Sequence, residues 1–142
     1  MSGHSFGLAV YVHSLRQFYG KTVDFIFGNA KVVFQSWGSG AAATYLWRPW
    51  KEYSRTVYVQ TMIDGVVDGA GWRPWDRDFA LTTLYYAEFN NSGVGSSIAN
   101  RVTWQDYHVI NATDAANFTV SNFLLGDNWL PKTGVAYTNA FI

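Results

Sequence analysis

The sequence predicts an all-β domain, and three observations carry that prediction. Short runs of β-branched and aromatic residues recur along the chain. Asp-Gly, Gly-Asn and Gly/Ser clusters punctuate those runs as turns. Apolar residues almost nowhere recur at helical spacing. No strict internal repeat is visible, so a β-solenoid, a sandwich and a barrel all fit the pattern. At 142 residues the chain amounts to one domain, long enough to bury a core.

The first predicted strand covers residues 9–15, with alternating character. His13 within it has no second ligand at metal spacing, and reads as a surface or core histidine. Residues 16–21 form a turn. The next stretch, Thr22-Val23-Asp24-Phe25-Ile26-Phe27-Gly28-Asn29-Ala30, reads as a strand closed by a Gly-Asn turn. In period two, Val23, Phe25 and Phe27 share one face, and Thr22, Asp24 and Ile26 the other. An ionised carboxylate inside an apolar strand needs a cation or several donors. Asp24 is therefore either a strand-end residue satisfied by backbone N–H groups, or a catalytic carboxylate held by a positive partner. Residues 30–34 continue as a short strand.

Residues 36–43, Ser-Trp-Gly-Ser-Gly-Ala-Ala-Ala, are the sharpest shift in composition and read as a join. Beyond them Pro49 pushes Arg48 toward an extended conformation. Arg48 then stands between Trp47 and Trp50, either as an anchor for a carboxylate or carbohydrate or as ordinary surface stacking. Strands follow over residues 56–62 and 79–89, with Asp64-Gly65 and Asp68-Gly69 as turns between them. Trp72-Arg73-Pro74-Trp75 repeats the earlier Trp-Arg-Pro-Trp, but its flanks differ and it does not read as a duplicated site. Residues 90–97 form a loop, and 100–104 a short strand or turn. Thr119 or Ser121 caps a short helix that ends at Leu125, with Gly126 as its stop.

Charge and composition exclude several classes. The formal net charge is zero, so bulk charge draws the chain neither to nucleic acid nor to an anionic membrane. No apolar run is long enough to span a bilayer. The absence of cysteine rules out disulfides and thiolate metal sites. Aromatics make up 18% of the residues, which suits a thick core and also a surface that stacks on flat ligands or sugar faces. Residues 1–7 do not form an ordinary signal peptide. Three glycosylation sequons, at Asn90, Asn111 and Asn117, nevertheless point to a secreted protein that has lost its front end.

Taken together, the motifs resemble those of the plant pectin methylesterases (pectinesterases). Residues 22–30 match the nucleophile motif of that family. Arg48-Pro49-Trp50-Lys51-Glu52-Tyr53-Ser54-Arg55-Thr56-Val57 looks like its arginine motif. Asp78-Phe79-Ala80-Leu81, Tyr85-Tyr86-Ala87-Glu88, Asn100-Arg101-Val102-Thr103-Trp104 and the segment from Tyr107 to Ala115 extend the likeness. The resemblance implies that residues 1–142 are the C-terminal part of a catalytic domain with internal deletions. It implies a right-handed parallel β-helix, a truncated pectin-lyase-like solenoid with an irregular C-terminal tail. It also implies hydrolysis of homogalacturonan methyl esters to free carboxylates and methanol, in the cell wall, with no cofactor and no metal. Asp24 would be the nucleophile, Arg48 its pairing and orienting cation, and Trp50, with Arg48, the substrate-binding pair. The implied partners are homogalacturonan and a proteinaceous pectinesterase inhibitor, with no nucleic acid and no membrane.

Two departures bear on turnover. Leu8 stands where the family has its proton donor, and Gly7 where it has a glutamine of the oxyanion hole. Leucine cannot donate a proton, and glycine offers no side-chain amide. Turnover is therefore expected to be weak or absent. The alternatives are a non-catalytic pectin-binding remnant and a truncated product. Shortening between Tyr19 and Thr22, a larger loss at residues 36–43, and Trp47 in place of a glycine complete the departures. With the early coils of the solenoid absent from this sequence, the isolated chain is expected to be marginally stable.

Overall fold

The computed structural model describes residues 43–141, together with the backbone of three earlier strands. These are β1 (Val10–His13), β2 (Asp24–Gly28) and β3 (Lys31–Val32). The later strands are β4 (Arg55–Val59), β5 (Met62–Ile63), β6 (Tyr85–Phe89) and β7 (Tyr107–Val109). The expectations at Gly7, Leu8 and most of the join lie outside the described residues.

The main sheet has the order β1-β2-β4-β6-β7. From β2 onward every pairing in it is parallel. Asp24, Arg55 and Tyr85 stand in one register row across β2, β4 and β6. A second parallel row runs through Lys31, Met62 and Ser92, and a third parallel contact joins Trp47 to Trp72. The described residues are thus all-β in their core, built on parallel pairing as expected.

Only β1 departs, pairing antiparallel with β2 so that His13 stands opposite Asp24. Chain length explains the direction. Residues 14–23 fall short of the dozen or so residues that a parallel crossover needs. The shortening noted between Tyr19 and Thr22 falls in that connection.

Two predicted strands are shorter in the structure. Gln60 adopts a left-handed conformation (φ 46°) and turns the chain after β4, as Asn90 (φ 47°) does after β6. The two corners lock together: Gln60 N–H donates to Phe89 O at 2.8 Å, and Thr61 N–H to Asn91 Oδ1 at 2.9 Å. Ahead of β6, Arg77 and Ala80 are also left-handed and residues 76–84 coil locally, so only the last part of the predicted 79–89 strand is extended. Residues 100–104 form no strand.

Strands in a parallel sheet bury both faces, and β4 and β6 do. On one face Tyr58 and Tyr86 pack with Leu46, Ile63, Val67, Leu84 and the fully enclosed Trp72. Trp72 sits 4.5 Å from the Tyr86 ring and 5.6 Å from that of Tyr58. Val57, Val59 and Ala87 occupy the other face, covered by Ile110, Phe118, Phe123 and Phe141 of the C-terminal tail. That tail is a run of short helical turns, with α1 at Ala112–Ala115 and α2 at Val120–Leu124. Thr119 caps α2, accepting from Asn122 N–H, and Leu125 ends it in the left-handed conformation ahead of Gly126. The cap of α1, Asn111, is one of the sequon asparagines and gave no helical signal by periodicity.

Candidate active site

The strand carrying Asp24 lies between β1 and β4, so the backbone neighbours of Asp24 in register are His13 and Arg55. Arg48 and Trp50 sit on the segment that leads into β4. Pro49 between them is buried, and Trp50 N–H closes a tight turn onto Arg48 O at 3.0 Å. Trp50 is 41% exposed, with the Lys51 ammonium 5.5 Å from its ring centre.

Arg48 is half-buried, and its guanidinium is held differently from the sequence expectation. Its aromatic plate is Trp75, at 5.0 Å, rather than Trp47 or Trp50. Nε and Nη2 donate to Pro74 O at 3.3 and 3.2 Å, and Nη2 also donates to Trp75 O at 3.1 Å. Among the described residues Nη1 takes no hydrogen-bond partner. The second Trp-Arg-Pro-Trp is therefore part of this site. Parallel pairing of Trp47 with Trp72 sets the two turns side by side, and the second turn clamps the arginine of the first. Arg73 lies over Tyr45 in turn, at 5.4 Å. The differing flanks had concealed the match, because ladder register aligned the two turns.

Trp50, Tyr53, Trp75 and Phe79 are all substantially exposed, an aromatic surface on the segments beside Arg48. A cleft lies elsewhere among the described residues. It encloses about 460 Å3 and is lined by Glu88, Asn90, Asn91, Ser96, Ser97 and Ile98, without Arg48 or Trp50.

Glu88 is a second carboxylate inside an aromatic strand, and one that sequence reasoning did not single out. It is 2% exposed and fully engaged. Arg101 Nε donates to Oε1 at 2.8 Å and Nη2 to Oε2 at 3.2 Å. Trp72 Nε1 and the Tyr107 hydroxyl add bonds to Oε1 at 3.1 and 3.2 Å, and Asn91 Nδ2 reaches Oε2 at 3.4 Å. Burial and the Glu88 charge push the Tyr107 phenol well above its ordinary range. Burial foremost pushes Tyr86 up to about 12. The signal that could have found Glu88 is the one that marked Asp24, a carboxylate in an apolar strand. Here the partner is an internal arginine, and the pair holds the fold together.

Among the described residues no cluster of three metal-ligating side chains occurs, and no helix is long and apolar enough to cross a membrane.

The described residues thus set an arginine clamp and exposed tryptophans beside a parallel sheet. Comparison with known proteins makes the family specific. The pectinesterase family model matches residues 2–40 and 37–127, and the chain belongs to that family. The two matched pieces meet inside the Gly/Ala join. A probable pectinesterase/pectinesterase inhibitor of Arabidopsis thaliana is 47% identical over 182 aligned positions, covering 94% of this chain and 31% of that protein. Pectinesterase 2 of Citrus sinensis is 41% identical, over 92% of this chain and 35% of that protein. The chain thus spans about a third of the length of the curated relatives it matches. Both alignments run longer than the chain itself, so the relatives carry residues that it lacks. Among solved structures, the pectin methylesterase from carrot superposes with a TM-score of 0.69 at 47% identity, covering 71% of this chain and 32% of that one. The Aspergillus niger enzyme superposes at 0.54 and 26% identity, covering 77% and 33%.

Proposed function

We propose that this chain is a pectinesterase segment that engages methyl-esterified homogalacturonan in the plant cell wall. The observation that carries the reading is the family match across both the Asp24 motif and the Arg48 motif. In this reading Asp24 attacks the ester carbonyl and methanol leaves. Water then cleaves the acyl-enzyme to regenerate the carboxylate. Arg48, with Nε and Nη2 fixed on Pro74 and Trp75, pairs with Asp24 in this reading and keeps it ionised. Trp50 stacks on a sugar ring. The recurring parallel rows support a right-handed β-helix as the architecture. Secretion and glycosylation at Asn90, Asn111 and Asn117 belong to the same proposal, as does binding of a proteinaceous inhibitor.

Turnover is expected to be far below that of an intact relative, because Leu8 and Gly7 replace the acid and the amide. Loss of a general acid alone costs about two to four orders of magnitude. The test is methanol release from methyl-esterified pectin by this chain and by Gly7→Gln/Leu8→Asp. Restored activity that Asp24→Asn then abolishes supports the assignment. Full activity in the unsubstituted chain refutes the roles given to Leu8 and Gly7.

A second reading, a non-catalytic pectin-binding remnant, is favoured by the exposed aromatics beside Arg48. Binding to de-esterified pectin that is lost in Trp50→Ala, in a chain without methanol release even after the double substitution, would select it.

A further inference from the structure

We propose that Arg55 is a positioning residue for Asp24: it is the cation in register on the adjoining strand, and Tyr85 and Phe118 restrain its guanidinium. The inference rests on the reading of Asp24 as nucleophile and adds a residue to which that reading gave no role.

Register is the first support. Asp24 and Arg55 are direct partners in the parallel ladder between β2 and β4. Neighbouring strands lie about 4.7–4.9 Å apart, well within the reach of an arginine side chain. Arg48 lies outside the strands of the sheet and has Nε and Nη2 committed to backbone carbonyls. A carboxylate that must stay ionised gains from a cation in its own ladder row.

Restraint is the second support. The Arg55 guanidinium lies 5.4 Å from the Tyr85 ring centre and 5.8 Å from that of Phe118. Those rings are stacked on each other at 5.9 Å. Tyr85 is the next residue of the same register row, while Phe118 comes from the C-terminal tail, just before α2. A planar cation against two aromatic faces has lost much of its rotamer freedom before any carboxylate approaches. The charge is felt locally: burial raises the Tyr85 phenol, Arg55 opposes that rise, and Asp114 adds to it. The tail thereby acquires a task beyond covering the sheet, since Phe118 links it to the nucleophile row.

The charged and titratable neighbours of the row among the described residues are His13 on β1, Arg55 and Tyr85 on the following strands, His108 on β7 with its ring 5.0 Å from that of Tyr85, and Asp114 in α1. Every comparison keeps His13, which stands opposite Asp24 in the ladder, in place.

The experiment is an NMR titration of the full chain, following the Asp24 carboxyl carbon and the Arg55 Nε–H. In the unsubstituted chain the Arg55 Nε–H resonance is expected to inflect at the Asp24 midpoint, and the inflection disappears in Asp24→Asn. Arg55→Gln is expected to raise the Asp24 midpoint by about one unit or more, and Arg55→Lys by less. An unmoved midpoint in a folded Arg55→Gln overturns the proposal. So does an Arg55 Nε–H without that inflection, which needs no substitution at Arg55 and decides the matter if Arg55→Gln does not fold. Methanol release is a separate readout. A chain without esterase activity still passes or fails this titration, and an active chain with an unmoved Asp24 refutes only the role of Arg55.

Discussion

Replacing Glu88 by glutamine removes one negative charge and keeps the volume, which makes it the sharpest test of how this core is held. The Glu88 carboxylate takes three donors at Oε1 and two at Oε2. Glutamine can keep its carbonyl toward Arg101 Nε, Trp72 and Tyr107. Its NH2 then meets Arg101 Nη2 and Asn91 Nδ2, donor against donor. Arg101 retains Gly69 O at 3.0 Å and Gly95 O at 2.7 Å, but its charge is buried without a counter-ion. Removing one member of a buried pair costs about 3–5 kcal/mol, a large share of the roughly 5–15 kcal/mol available to a domain. At about 2–4 °C per kcal/mol, Glu88→Gln is expected to lower Tm by roughly 6–20 °C. Circular dichroism melts and urea titration measure it. The double variant Glu88→Leu/Arg101→Met is expected to cost less than the sum of its singles, since both charges leave together. An unchanged Tm in Glu88→Gln, or strict additivity in the cycle, refutes the argument.

Three further outcomes follow from the same structure. Gly71→Ala is expected to destabilise, because the backbone there is left-handed (φ 69°) and a Cβ would stand 2.5 Å from Arg101 Cδ; a melt equal to that of the parent would contradict it. Leu125→Gly is expected to stabilise by about 0.5–1 kcal/mol, since Leu125 is 62% exposed and holds φ 49° at the end of α2; a lower denaturation midpoint would count against it. Tyr86 titrates at about 12 in the fold against 10.0 in the open chain. Its contribution is complete below pH 10 and is lost as pH rises through 12, so unfolding and the Tyr86 part of the tyrosinate absorbance, taken as the difference from Tyr86→Phe, should advance together over that window; a Tyr86 difference signal appearing at ordinary alkalinity in a folded chain would refute the burial argument.

Much of this protein is written locally. Alternating and β-branched runs mark the strands, Asp64-Gly65 and Asp68-Gly69 mark turns, and Thr119 announces the start of α2. The long motifs around Asp24 and Arg48 state the family. These signals are legible because they depend on propensity, on period two, and on groups a few residues apart. Strand length was less legible, since left-handed residues such as Gln60, Arg77 and Ala80 interrupt runs whose composition still looks extended.

Tertiary structure decided which charge meets which partner. Period two assigns a residue to a face but does not say what stands beside it on the next strand. Two carboxylates in similar strands therefore gave one signal and received different surroundings. Glu88 is enclosed by Arg101, Trp72, Tyr107 and Asn91, whereas Asp24 stands in register between His13 and Arg55. Arg48 likewise found its plate on Trp75, in a turn that sequence flanks had set aside, because parallel pairing of Trp47 with Trp72 brings the turns together. The physical reason is common to all three. Ladder register joins residues far apart in the chain, and it is fixed by packing over the whole core rather than by the residues that come to touch.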